Sequence, residues 1–128
     1  MQTLCYNYSI IKNAILEQFS SVFIHKSTTT QKFLDVLYKE GLIRGYNIYS
    51  KKNKIEVYLK YYKGASVIQN IKAISTPGRY IYFSFDDICY WDKTSQHSFL
   101  VLSTSKNIMS SKEAKKLKIG GKVLCVVS

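Results

Sequence analysis

Apolar residues recur at helical spacing from Ser9 to Phe19, where Ile10, Ile11, Ala14, Ile15 and Phe19 form one stripe. Val22 to His25 predicts a short strand. A second helix opens in Ser27-Thr28-Thr29-Thr30, with Thr28 and Gln31 at capping-box spacing. Its apolar face is Phe33, Leu34, Leu37 and Tyr38, and Gly41 ends it. Tyr46, Ile48, Ile55, Val57 and Leu59 then alternate with polar residues on either side of Lys51-Lys52-Asn53, the pattern of a hairpin.

Lys63-Gly64-Ala65-Ser66 is the best candidate linker between two small halves, and the expected division within it is 1–64 and 65–128. Val67 to Ile74 reads as a strand and Ser75-Thr76-Pro77-Gly78 as a turn. The stretch Asp86 to His97 is assigned to no element. Phe99 to Leu102 is apolar throughout, as a buried strand would be. A polar loop follows, Ser103-Thr104-Ser105-Lys106-Asn107. Ser110 stands three residues before Glu113, a second capping-box spacing that opens a short helix. Gly120-Gly121 is expected to end that helix with at least one positive φ. Val123 to Val127 is the last predicted strand. The sum is an α+β chain of two small halves.

Composition narrows the function. The 128 residues carry 19 basic and 8 acidic groups, a net charge of +11, which points to a polyanionic partner. From Val101 onward, six lysines stand against one glutamate. A hydrophobic share of 46% suffices for a core, and no apolar run is long enough to span a membrane. The N-terminus has neither a signal-peptide layout nor an Arg-rich presequence. Cys5, Cys89 and Cys125 are too scattered for a disulfide framework or a zinc knuckle, and Cys125 sits in an apolar run. Tyr, Ile, Lys, Asn and Ser are abundant beside one Pro and one Trp, a skew that AT-rich codons would produce.

The candidate chemistry is binding. Ser103, Thr104 and Ser105 put small hydroxyls and backbone N–H groups in one turn, Lys106 adds a cation, and Asn107 tolerates a left-handed backbone. Such a loop can donate to phosphates, 2′-hydroxyls and unpaired base edges. A solvated turn whose hydroxyls bond their own backbone has the same composition. The residues alone leave both readings open.

A resemblance decides between them. Ser103 to Lys106, Met109, Glu113, Ala114, Lys116, Leu117, Gly120, Gly121, Val123, Leu124 and Cys125 fall in register on the C-terminal signature of the universal small-subunit ribosomal protein eight family. Asn107 replaces that signature's Gly. Further upstream, Ile11-Lys12-Asn13-Ala14 resembles the family's Ile-Arg-Asn-Ala, and Lys39-Glu40-Gly41-Leu42-Ile43 its Glu-Glu-Gly-Phe-Ile. Ser75-Thr76-Pro77-Gly78, followed by Arg79, Tyr80 and Tyr82, resembles its Ser-Lys-Pro-Gly-Arg and aromatic strand. The 86–97 segment departs from the pattern.

The resemblance implies a half of order α-β-α-β-β, then a mostly antiparallel sheet with a short helix. It also implies a structural constituent of the small ribosomal subunit that binds the central domain of small-subunit rRNA, supports its folding and subunit assembly, and meets neighbouring small-subunit ribosomal proteins. No cofactor, metal, membrane or small-molecule substrate is expected. The rRNA-binding residues would be Ser103, Thr104, Ser105, Lys106 and Asn107, with Lys12, Asn13, Arg79, Tyr82 and Lys122. The alternative is a small enzyme pairing one cysteine with His25 or His97, but no flanking sequence supplies an oxyanion turn. The skewed composition and missing presequence fit a gene translated inside an organelle, and the departure of the N-terminal half from the bacterial-type pattern makes the mitochondrion (the matrix mitoribosome) the expected compartment, with a plastid or the bacterial cytoplasm as alternatives.

Overall fold

The protein is described here by a computed structural model covering residues 2–95 and 98–128. It divides into two compact units, Met1–Asn70 and Ile71–Ser128. The fold class is α+β.

The first unit runs α1 (Gln2–Leu16), β1 (Ser21–His25), α2 (Thr28–Lys39), β2 (Ile43–Tyr49) and β3 (Lys54–Leu59), then a two-residue hairpin of β4 (Tyr61–Tyr62) and β5 (Ala65–Ser66). β3 is central, with β1 and β2 antiparallel on its two edges. Ile24, Ile55 and Val57 alternate onto the buried face of this sheet, and Phe33, Leu34 and Leu37 of α2 are fully buried. α1 starts earlier than the apolar stripe predicts, because Leu4 and Tyr8 continue the buried line of Ile11 and Ala14 toward the N-terminus. It also ends earlier, and Phe19 is exposed. A buried amide ties the helices to the strand: Asn7 donates to His25 O (3.1 Å) and to Thr30 Oγ1 (3.0 Å), and its Oδ1 accepts from His25 N–H (3.1 Å). α2 is capped by Ser27, not Thr28; the Ser27 hydroxyl accepts from Thr30 N–H at 3.0 Å. Tyr38, expected on the apolar face, is exposed. The expected linker is itself the β4–β5 turn, with Lys63 and Gly64 at positive φ, and the division of the chain falls after it.

The second unit runs β6 (Ile71–Ala73), β7 (Tyr82–Phe83), α3 (Phe85–Thr94), β8 (Phe99–Ser103), β9 (Ile108–Ser110), α4 (Ser111–Leu117) and β10 (Gly121–Val127). β10 organises it. β8 lies along one edge of β10, β6 and β7 share the other, β9 extends the sheet beyond β8, and every pairing is antiparallel. The strand predicted over Val67 to Ile74 is only β6. The 86–97 segment, assigned to no element from the sequence, is largely α3, so the described residues of this unit form two helices where one was expected. Ser84 caps α3 with a complete box, its hydroxyl and the Asp87 carboxylate each taking the other's backbone N–H. Ile88 of α3 packs with Leu100, Leu102, Met109, Ala114 and Val123, and Trp91 covers the edge of that cluster. Lys115 of α4 bonds Asp92 of α3 at 2.7 Å, which raises the lysine's pKa, chiefly through that hydrogen bond.

Two expectations about the C-terminal glycines are corrected. α4 ends at Leu117 because Lys118 takes the left-handed conformation (φ 56°), and neither Gly120 nor Gly121 has positive φ. What requires glycine is close approach. A Cβ on Gly120 would lie 2.3 Å from Phe83 O, and one on Gly121 would lie 2.5 Å from Ser103 O. Both obstacles are backbone, so they cannot swing aside. Gly120→Ala and Gly121→Ala should each cost about 3 kcal/mol, the upper range for forcing atoms into a packed site. Gly78→Ala, with nothing within 4 Å of its added carbon and no positive φ, should stay within about 0.5 kcal/mol of the parent. Urea denaturation of the three variants measures this, and parental stability in the Gly121 variant would contradict the clash.

Candidate nucleic-acid interface

The two glycine approaches bring three strands together at one end of the second unit. Lys122 follows directly on Gly121 and pairs with Tyr82 on β7 and Ser103 on β8. In an antiparallel ladder, directly paired residues point to the same face. Tyr82, Lys122 and Ser103 therefore form one row across the sheet. Tyr82 is 68% exposed. The Lys122 ammonium sits over the Tyr80 ring, 4.4 Å from its centroid. At an exposed site such a contact is worth about 0.5–1 kcal/mol, enough to bias where the cation stands. Tyr80 is half exposed and belongs to this cluster, although it was not among the expected binding residues. The residue pairing that brings it there is not visible before the register is known.

Arg79 closes a four-residue turn from Thr76, in which the two residues exchange backbone bonds at 2.9 and 3.0 Å. Buried Ser75 fixes that turn to the sheet. Its hydroxyl donates to Val123 O and accepts from Ile81 N–H at 3.0 Å. The arginine side chain is exposed.

Residues 103–107 leave β8 and return into β9. One hydroxyl holds the turn. Thr104 Oγ1 donates to Asn107 O (2.7 Å) and accepts from the N–H groups of Lys106 and Asn107, each at 3.2 Å. Thr104 N–H closes the turn on the same carbonyl at 3.0 Å. Asn107 does not take the left-handed conformation expected of it; its Oδ1 instead accepts from Ile108 N–H at 2.9 Å. Thr104 Oγ1 and Asn107 Oδ1 thus bond backbone groups inside the loop. Ser105 and Lys106 are exposed, and Ser103 is half-buried at the strand end.

Lys12 and Asn13 lie exposed on α1, in the first unit. The structure therefore gathers Ser103 to Asn107, Lys122 and Tyr82 in one place, adds Tyr80, and puts Arg79 at the end of the turn that directly precedes Tyr80. Residues 71–128 hold nine basic and four acidic groups, so the surface is cationic as a whole. Among the described residues, no group of three or more His, Cys, Asp or Glu could hold a metal ion, and no helix is long and apolar enough to cross a membrane. Cys125 is buried, Cys5 and Cys89 are half-buried, His25 is exposed, and His97 lies outside the described residues.

These features define a small basic α+β protein with a cationic, hydroxyl- and tyrosine-bearing surface. The chain belongs to the Ribosomal protein S8 family, whose profile it matches over residues 4–128. It is 38% identical over 120 residues to the small ribosomal subunit protein uS8 of Rhizobium etli (strain CIAT 652), covering 91% of this chain and 89% of that protein. The same identity and coverage hold for the uS8 proteins of Bartonella henselae (strain Houston 1) and Agrobacterium fabrum (strain C58). The family is structural and not enzymatic, which disposes of the cysteine–histidine alternative.

The loop geometry makes a specific prediction. Thr104→Val removes the oxygen that serves three main-chain groups but keeps the side-chain shape. Because the loop is exposed, stability should fall by only about 1 kcal/mol. Amide hydrogen exchange at Lys106 and Asn107 should accelerate at least tenfold, while exchange at Leu102 and Val123 is unchanged. Unaltered exchange at Lys106 and Asn107 would show that the turn is held by something other than this hydroxyl.

Proposed function

We propose that this protein is a structural constituent of the small ribosomal subunit, that it binds the central domain of small-subunit rRNA, and that it supports the folding of that RNA and the assembly of the subunit with neighbouring ribosomal proteins. Family membership supports the ribosomal role. One observation carries the RNA contact: a rigid loop that turns Ser105 and Lys106 outward beside the Tyr82–Lys122–Ser103 row. A compact set of donors, a cation and exposed rings suits unpaired or distorted RNA better than the regular groove of a duplex. In this reading, Lys106 and Lys122 meet phosphates, Ser105 and Ser103 bond sugar or base edges, and Tyr82 stacks. Thr104 and Asn107 act through the loop they shape. Arg79, and Lys12 with Asn13 on the first unit, supply additional phosphate contacts.

The compartment we infer is the mitochondrion, on the codon-driven skew of the composition. The relatives named above are bacterial, so a bacterial or plastid ribosome is the alternative that copurification of a small-subunit particle from a defined compartment would reveal.

The test is a quantitative binding assay on a central-domain rRNA fragment across a salt series. Parental log affinity should fall linearly with log salt, because phosphate contacts release counterions. Lys106→Ala should weaken binding and flatten that slope by about one unit. Ser105→Ala should cost about 1 kcal/mol of affinity with an unchanged slope. Parental affinity in both variants would move the RNA contact away from this loop.

A further inference from the structure

The first unit has an open sheet face whose side chains the loop-centred reading does not use. The register of β1, β3 and β2 sets it out. Phe23 pairs with Glu56, which pairs with Asn47; one step along, His25 pairs with Lys54, which pairs with Tyr49; one step the other way, Ser21 pairs with Tyr58. The alternate residues Ile24, Ile55 and Val57 are the buried ones, so these rows look outward. An outward sheet face ordinarily carries polar residues. Here Phe23 is 48% exposed and Tyr49 39%. Their ring centroids are 5.9 Å apart, and the His25 ring meets that of Tyr6 at 5.2 Å.

We infer that this face is a second RNA-binding surface, which takes unpaired nucleotides by stacking their bases on Phe23, Tyr49 and Tyr58. The inference rests on the RNA-binding reading above and places a separate contact on the other unit.

Three features favour this occupant. First, the apolar members of the rows are all rings, with no aliphatic side chain among them. Flat π surfaces accept any base. Second, the rings are pre-set. The Glu56 carboxylate at the centre accepts from Tyr58 OH (2.8 Å), Ser21 Oγ (3.2 Å) and Tyr49 OH (3.4 Å), and Tyr58 OH accepts from Asn47 Nδ2 (3.1 Å). The bond to Glu56, with desolvation second, holds the Tyr58 phenol's pKa above its ordinary value. Rings fixed before binding lose little freedom on binding. Three hydroxyl donors also compensate the one carboxylate that a phosphate would avoid. Third, one end of the face has a cationic rim. Lys26 N–H bonds Asn53 O at 3.1 Å and Lys26 Nζ bonds Ser50 Oγ at 3.3 Å, which draws the β1–α2 connection against the β2–β3 turn. Together with Lys54, that places Lys26, Lys51 and Lys52 at the Tyr49 end, and neither connection contains an acidic residue. Phosphates at the rim and bases over the rings is the division of labour by which single strands are held.

The experiment uses the full-length chain, a ten-nucleotide oligouridylate as the single-stranded probe and a fully paired RNA hairpin as the control. In an NMR titration, the oligouridylate should shift the amides of Phe23, His25, Tyr49 and Tyr58, and the hairpin should leave them unmoved. A Phe23→Thr/Tyr49→Thr double variant should bind the oligouridylate about tenfold more weakly or worse, with an unchanged melting temperature. A ring-preserving Phe23→Tyr/Tyr49→Phe variant should bind like the parent, which separates stacking from any loss of fold. Parental oligouridylate affinity in the threonine double variant, or shifts confined to Ser103–Lys106 and Lys122, would overturn the inference. So would a double variant that keeps its RNA affinity but no longer joins the small subunit, since a protein would then be the occupant. The central-domain fragment is read in parallel: if it binds the parent and responds to Lys106→Ala while the face does not respond, only this inference fails. If no RNA binds at all, the proposed function fails with it.

Discussion

The second unit depends on how closely three backbones can approach at Gly120 and Gly121. Gly120 lies against Phe83 and Ser84 on one side, and Gly121 against Ser103 and Thr104 on the other. Each contact removes the room a side chain would need. The consequence is positional. With both approaches made, β7 and β8 flank β10 at its first residues, Tyr82 and Ser103 flank Lys122, and the 103–107 loop leaves the sheet from a fixed point. The Ser84 cap of α3 rests on the same approach, so helix start and loop start are set together. A sheet that met at ordinary side-chain distance would have the same residues and no such row.

The surface this creates has few buried charges. Its cations are exposed or lie over a ring, and the Ser75, Thr104 and Asn107 polar atoms that are tied down bond the protein's own backbone. The energetic consequence is that little binding energy is committed before a partner arrives. Exposed lysines pay no desolvation until they meet a phosphate, and their attraction is felt over roughly a Debye length, about 8 Å at physiological salt. Such a surface gathers a polyanion from a distance and discriminates only through the few groups whose direction is fixed. A catalytic site is built the other way, with charge buried and perturbed in advance.

The sequence made the broad architecture legible because most elements keep a clean period. Ile55, Val57 and Leu59 alternate, Phe33, Leu34 and Leu37 recur at helical spacing, and both patterns match their burial. It misled where burial does not follow hydrophobicity. Asn7 is buried and polar, so the first turns of α1 look broken although Leu4 and Tyr8 carry the core line through them. α3 buries only Ile88 fully, too little for a stripe, yet Ser84 and Asp87 stood at capping-box spacing and would have marked its start. The glycine pair was read as conformational because the sequence shows a glycine and not its neighbours across the sheet. Close approach is a property of the pairing, and no local pattern carries it. The linker was misjudged for a related reason: Lys63-Gly64 is turn chemistry, and turn chemistry serves a tight hairpin as well as a boundary.

The loop shows why its two readings were not rivals. A polar turn whose hydroxyl bonds its own backbone and a donor loop aimed at a ligand looked like alternatives in the sequence. In the structure, Thr104 makes the bonds of the first, and those bonds are what hold the backbone of Ser105 and Lys106 in one conformation. An ordered backbone fixes where an exposed side chain begins, and the freedom left to it is then only its own rotamers. Ordering these residues before binding lowers the entropy that binding would otherwise cost, by about 1–2 kcal/mol for each backbone residue already fixed. The internal hydroxyl and the outward one therefore have separate parts: one ties the turn, and the other is left exposed on it. The same division holds at Ser75 and Arg79, where a buried hydroxyl secures a turn and an exposed cation stands at its end.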